Sequence, residues 1–123
     1  MQIVILDRAT LGFDIDVNIF SKFGNVTSYD STKENETAQR VKNADIVLTN
    51  KVVIGKNEID NSNIKLICIT ATGMNNVDLE YAKEKNIAVK NVAGYSTSSV
   101  VQVGFSMILY FVQKLNYYKK YVD

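Results

Sequence analysis

Histidine, tryptophan and proline are missing from this 123-residue sequence, and cysteine occurs once, as Cys68. Without histidine there is no imidazole to ligate a metal or to serve as a general base within these residues. One cysteine excludes an internal disulfide and a cysteine-cluster metal site, so no metal is expected. It also fits a reducing compartment, and a cytoplasmic location is the expectation. Arginine is scarce: Arg8 and Arg40 are the only two. The net charge of +1 excludes a strongly basic nucleic-acid binder. No apolar run approaches the ~20 residues that span a bilayer, and no secretory leader opens the chain. No nucleic acid and no membrane are therefore expected as partners. The chain is 46% hydrophobic and 22% charged, an ordinary globular balance at a length sufficient for one domain of roughly 100–150 residues.

Short apolar runs alternate with helix signals. Gln2–Leu6 reads as a buried parallel strand. Asp14 is placed to cap a helix carrying Ile15, Ile19 and Phe23, with Gly24 as its stop. Val26–Tyr29 is a second strand. Ser31 and Glu34 have the spacing of a capping box before a helix that puts Ala38, Val41 and Ala44 on one face. Asp45–Leu48 is a third strand, and a short helix is expected around Gly55–Asp60. Lys65–Ile69 is the most apolar strand and belongs near the sheet centre. Asp78 caps a helix over Leu79–Lys85 that Asn86 ends, and Ile87–Val89 is a fifth strand. This alternation predicts an open, mainly parallel α/β sheet.

The C-terminal segment is different in kind. From Ser99 to about Tyr121 only Gly104 interrupts a helical pattern, with Ser99 and Gln102 spaced as a second capping box. Val100, Val101, Val103, Phe105, Met107, Ile108, Leu109, Phe111, Val112 and Leu115 cover nearly its whole circumference. Such a helix requires burial on several sides. It is expected to pack against a second copy through residues 99–121, as a homo-oligomer, or against chain beyond Asp123. The Tyr117–Tyr121 cluster reads as packing plus favourable charge at a helix end.

In parallel sheets ligands bind outside the carboxyl ends of the strands. Arg8–Thr10, Asn50–Val52, Ala71–Met74 and Gly94–Thr97 fall there. Around Gly73, which tolerates positive φ and close backbone approach, successive amides can form an anion-binding concavity. Thr72 adds a hydroxyl and Lys51 a positive charge from the neighbouring strand end. The same residues also read as an ordinary turn beside a solvated lysine, and spacing alone does not choose. There is no GxGxxG and no Walker motif. The acid cluster of a phosphoacceptor receiver is missing, since Asn50-Lys51 follows the third strand. Cys68, flanked by Leu66, Ile67 and Ile69, reads as a small core hydrophobe.

Four stretches together point further: Ala44–Lys51, Ile69–Asp78, Ala82–Val89 and Asn91–Gln102. In these the chain resembles the N-terminal part of the D-isomer-specific 2-hydroxyacid dehydrogenases, in particular the glycerate dehydrogenase or hydroxypyruvate reductase group. The resemblance implies a flavodoxin-like substrate-binding lobe over residues 1–94. It implies a long interdomain helix over 95–123 that leads to an NAD-binding Rossmann domain outside this sequence. It implies an NAD(P)-dependent oxidoreductase that interconverts a D-2-hydroxy acid, glycerate-like, and its 2-oxo acid. Lys51, Ala71, Thr72, Gly73 and Met74 would line the substrate site, the loop amides taking the carboxylate. Thr72 and Thr97 would lie near the cofactor. Ala93 stands where the family often has proline.

The family's catalytic arginine, glutamate and histidine, and its glycine-rich cofactor loop, fall beyond Asp123. No catalytic residue is therefore assigned within the chain, which is expected to be inactive and to bind no NAD or NADP alone. The competing expectation is a stand-alone carboxylate-binding or oligomerisation module without catalysis.

Overall fold

The computed structural model describes residues 1–12 and 14–122. They divide into two compact units, Met1–Ala93 and Gly94–Asp123. The first holds a five-stranded sheet built from β1 (Gln2–Ile5), β2 (Asn25–Ser28), β3 (Ile46–Thr49), β4 (Leu66–Ile69) and β5 (Ala88–Asn91). All four pairings are parallel and the order is β2-β1-β3-β4-β5. This is the flavodoxin-like doubly wound order, with its switch point between β1 and β3. The five strands fall where the apolar runs put them, displaced by a residue or two. β3 is the central strand, and the apolar β4 lies beside it.

Side chains alternate across the sheet, as the two-residue strand period requires. Val4, Leu6, Val47, Ile67 and Ile69 belong to one core cluster, together with Val41 of α1 (Glu34–Val41), Ile59 of α2 (Lys56–Asp60) and Ala82 of α3 (Leu79–Glu84). Ile3, Ile5 and Leu48 form a second cluster on the opposite side, packed against Leu11, Val17, Phe20 and Cys68. That second face is only partly covered. Two 3-10 segments, Arg8–Leu11 and Val17–Phe23, lie over it. Beside them runs an open apolar groove of about 510 Å³, lined in part by Met1, Phe20, Phe23, Leu66 and Cys68. Cys68 is thus a half-buried groove residue rather than a central one, and burial pushes its thiol pKa up.

Local chemistry explains where the elements begin and end. Asp78 accepts the Tyr81 amide at 3.0 Å and starts α3. Asn86 closes it at φ 59°, the left-handed geometry that asparagine tolerates at a helix end. Three expected caps are displaced. Val17–Phe23 is a 3-10 segment capped by Asp16, which accepts the Asn18 amide, not an α-helix capped by Asp14. α1 starts two residues later than Ser31 suggests: the Glu36 carboxylate accepts the Lys33 amide at 3.0 Å, and Thr32 instead donates to the Leu6 carbonyl.

In the second unit α4 spans Thr97–Val112 with Ser96 at its N-cap, so Ser99 and Gln102 form no capping box. The long helix is not continuous. Lys114 takes φ 51°, and α5 (Leu115–Val122) starts afresh. Asp123, the last residue of the expected connecting helix, lies outside the described residues. The side chains of α4 are exposed throughout, Phe111 at 75%. Among the described residues no helix is long and apolar enough to cross a membrane.

Candidate functional site

Three loops at the carboxyl ends of β3, β4 and β5 are laced into one edge of the first unit. The central one, Ala71–Asn76, follows β4. On its β5 side Asn91 Nδ2 donates to the Thr72 carbonyl at 2.7 Å. Thr72 Oγ1 donates to the Val92 carbonyl at 3.1 Å, and the Val92 amide donates to the Ala71 carbonyl at 3.1 Å. On its β3 side Asn76 Nδ2 donates to the Val52 carbonyl at 3.0 Å. The Ile54 amide reaches the Asn76 carbonyl at 2.9 Å, and the Asp78 amide returns to the Ile54 carbonyl at 3.0 Å. The loop is therefore held from both flanks by bonds that do not use its outer amides. Among the described residues no protein acceptor takes the N–H groups of Thr72, Gly73 or Met74. Thr72 and Gly73 are exposed, whereas Ala71 and Met74 turn against the core cluster and anchor the loop.

Gly73 does not use the freedom expected of it. The glycines with positive φ are Gly12, Gly24 and Gly94. Where a Cβ would stand, the nearest atom is Asn75 Oδ1 at 3.4 Å, an ordinary van der Waals contact. Close approach by a ligand, rather than an unusual backbone, is what the missing side chain permits.

Lys51 sits in the turn after β3, exposed. That turn is pinned from below by Asp7, two residues past the end of β1. Asp7 is 6% exposed, and its carboxylate accepts the Lys51 amide at 2.7 Å and the Asn50 amide at 2.9 Å. Thr49 Oγ1, 1% exposed, stands 3.4 Å from Asp7 Oδ2 and accepts the Val52 amide at 3.0 Å. Asn50 Oδ1 is buried with no donor among the described residues. The sequence places Lys51 and the Ala71–Met74 loop on one edge, and the structure ties them together through Val52 and Asn76. The asparagines that do the lacing, Asn76 and Asn91, and the brace Asp7 escape sequence reading. The available signal is a carboxylate directly after a buried first strand, next to the switch point. Thr97 opens α4 in the second unit and is exposed.

Both arginines are occupied. Arg8 donates to the carbonyls of Gly12 at 2.6 Å and Ile15 at 2.8 Å. Arg40 donates to Ser31 and Thr32 and pairs with Glu36 at 3.0 Å.

Residues 3–107 match the family model described as the catalytic domain of D-isomer-specific 2-hydroxyacid dehydrogenases. The chain belongs to this family. A Haemophilus influenzae protein that carries the same family name is 45% identical over 101 residues, covering 81% of this chain and 32% of that protein. The hydroxypyruvate reductase of Blautia hydrogenotrophica is 37% identical over 114 residues, covering 89% of this chain and 35% of the reductase. In structure, an acyclic imino acid reductase in complex with NADPH and D-Arg superposes with a TM-score of 0.83 at 21% identity, over 98% of this chain and 40% of that one. This last likeness concerns the fold. The chain spans about a third of the length of the relatives it matches in sequence.

Proposed function

We propose that this chain is the substrate-binding lobe of an NAD(P)-dependent oxidoreductase that interconverts a D-2-hydroxy acid, glycerate-like, and its 2-oxo acid. The observation that carries the reading is the Thr72–Met74 loop, braced on both flanks while its amides stay unpaired, in a chain 37% identical to a hydroxypyruvate reductase. Backbone N–H groups are strong donors and take a carboxylate in charge-assisted hydrogen bonds. Lys51 adds a positive charge from the adjoining turn. Ala71 and Met74 fix the loop through the core, so that the site is ordered before ligand arrives.

The residues present do not fit a dinucleotide. The turn after β1, where a phosphate-binding glycine loop would lie, is a 3-10 segment whose Arg8 is spent on the Gly12 and Ile15 carbonyls. We therefore assign this chain at most side contacts to a nicotinamide cofactor, through Thr72 and Thr97, and no step through it. Reduction of a 2-oxo acid needs a proton donor and a cation at the carbonyl. With no histidine, and both arginines engaged, the chain alone is expected to be inactive. The second reading, a carboxylate-binding or oligomerisation module without catalysis, draws on the exposed apolar surface of α4.

Thr72→Pro tests the carrying observation, because it deletes one loop amide and restricts Ala71 to extended geometry. Calorimetric titration with hydroxypyruvate is expected to show binding by the parent chain and its loss in the variant, whereas Thr72→Val, which gives up only the hydroxyl bond to the Val92 carbonyl, is expected to keep binding. Equal affinities in the parent chain and Thr72→Pro would contradict the assignment. NADH consumption with hydroxypyruvate by the 123-residue chain alone would contradict the expected inactivity.

A further inference from the structure

The buried carboxylate of Asp7 has no part in the loop chemistry above, yet it is the best-connected acidic group in the first unit. It lies at the switch point between β1 and β3, where ligands of this sheet order bind. Its own backbone is fixed on both sides: the Leu6 amide donates to the Leu48 carbonyl at 3.0 Å and the Arg8 amide to the Tyr29 carbonyl at 2.8 Å. Its oxygens take two consecutive amides of the next turn, Asn50 and Lys51, and the Thr49 hydroxyl takes the third, Val52. The turn is thus wrapped on an anion from inside, and its far end is handed to the Ala71–Asn76 loop by the Asn76–Val52 bond.

We propose that Asp7 is a positioning residue for carboxylate recognition: it sets the Asn50–Lys51–Val52 turn so that Lys51 is presented beside the Thr72–Met74 amides. This rests on the substrate-lobe reading. An exposed lysine on a loose turn spreads its charge over many positions. A turn locked at three successive amides delivers that charge to one place, because the ordering cost is met before ligand binds. Asp7 has this effect without touching the ligand. Residues of this kind modulate affinity through the elements they order.

The test is a double-variant cycle on the 123-residue chain, with hydroxypyruvate as the calorimetric probe. Asp7→Asn puts an amide group where two N–H donors now meet carboxylate oxygens. It is expected to weaken binding about tenfold. Lys51→Gln is expected to weaken it similarly, and the double variant to be no weaker than the weaker single, because both act through one lysine. An unchanged urea midpoint in Asp7→Asn separates that non-additivity from a fold defect. Thr49→Val and Thr49→Ser keep the test open should Asp7→Asn unfold: the valine variant is expected to lose affinity and the serine variant to keep it. Wild-type affinity in Asp7→Asn, or losses that multiply in the double variant, would overturn the positioning role and leave the substrate-lobe reading standing. Failure of the unaltered chain to bind hydroxypyruvate would overturn both.

Discussion

A side chain at position 24 has nowhere to go. A Cβ on Gly24 would collide with the carbonyl of Met1, which also accepts the Asn25 amide at 2.9 Å. Gly24→Ala must therefore push β2 away from the start of β1. The expected cost is about 1–3 kcal/mol, the range for overpacking a tight site, read from the urea midpoint. An unchanged midpoint would mean that the strand ends move apart freely. At this scale sequence reading finds the residues that bear chemistry on their face, Lys51 and the Thr72-Gly73 pair, because charge and a missing side chain are visible in one dimension. It misses Asp7, Asn76 and Asn91, because each works by a bond to a carbonyl or amide at least 19 positions away. Nothing local marks such a partner.

Among the elements, α2 and α3 are tied at the surface. Tyr81 donates its hydroxyl to Asp60 at 2.8 Å, and Lys85 pairs with Asp60 at 2.7 Å while lying over the Tyr81 ring. The Lys85 ammonium, and then the Tyr81 hydroxyl, hold the Asp60 carboxyl below its ordinary value of 3.8. Asp60 in turn raises Lys85 above 10.5. The depressed carboxyl contributes stability that is present above pH 3.8 and lost as pH falls through its folded value. The raised lysine contributes below pH 10.5 and loses it as pH rises through its own folded value. The tie therefore stands intact between those limits. Both groups are exposed, so the effect is small and screened by salt. Asp60→Asn is expected to flatten the fall of stability with pH below 3.8, measured by urea unfolding across an acid series. Identical slopes would remove Asp60 from acid unfolding.

The five strands and α3 are legible in sequence because a buried parallel strand is a bare apolar run and Asp78 and Asn86 flank their helix at the proper spacing. The first helix is not, because apolar residues at i, i+4 and i+8 do not separate an α-helix from a 3-10 segment lying on a sheet. Nor is the break at Lys114: a lysine in left-handed conformation leaves no compositional trace where glycine would have.

At the scale of the whole molecule, the second unit is expected to set the behaviour in solution. Val103, Phe105, Ile108 and Phe111 of α4 are each more than half exposed. A continuous apolar surface of this kind is a docking face or an aggregation hazard. The chain is expected to self-associate through residues 99–121, and Phe105→Asp with Ile108→Asp to shift it toward monomer in sedimentation velocity. A monodisperse monomer before substitution would contradict this. The first unit is expected to bind ligand whether or not the second is paired, because every bond that braces its loop lies within Met1–Ala93.

Recognition of a 2-oxo acid by that braced loop is the most direct point of attack. Amide proton–nitrogen correlation spectra of the isotopically labelled chain, recorded while hydroxypyruvate is added, report every N–H at once. The expected result is saturable movement of the Thr72, Gly73, Met74 and Lys51 signals, with those of β2 stationary. Stationary loop signals, or movement confined to other parts of the chain, would contradict it.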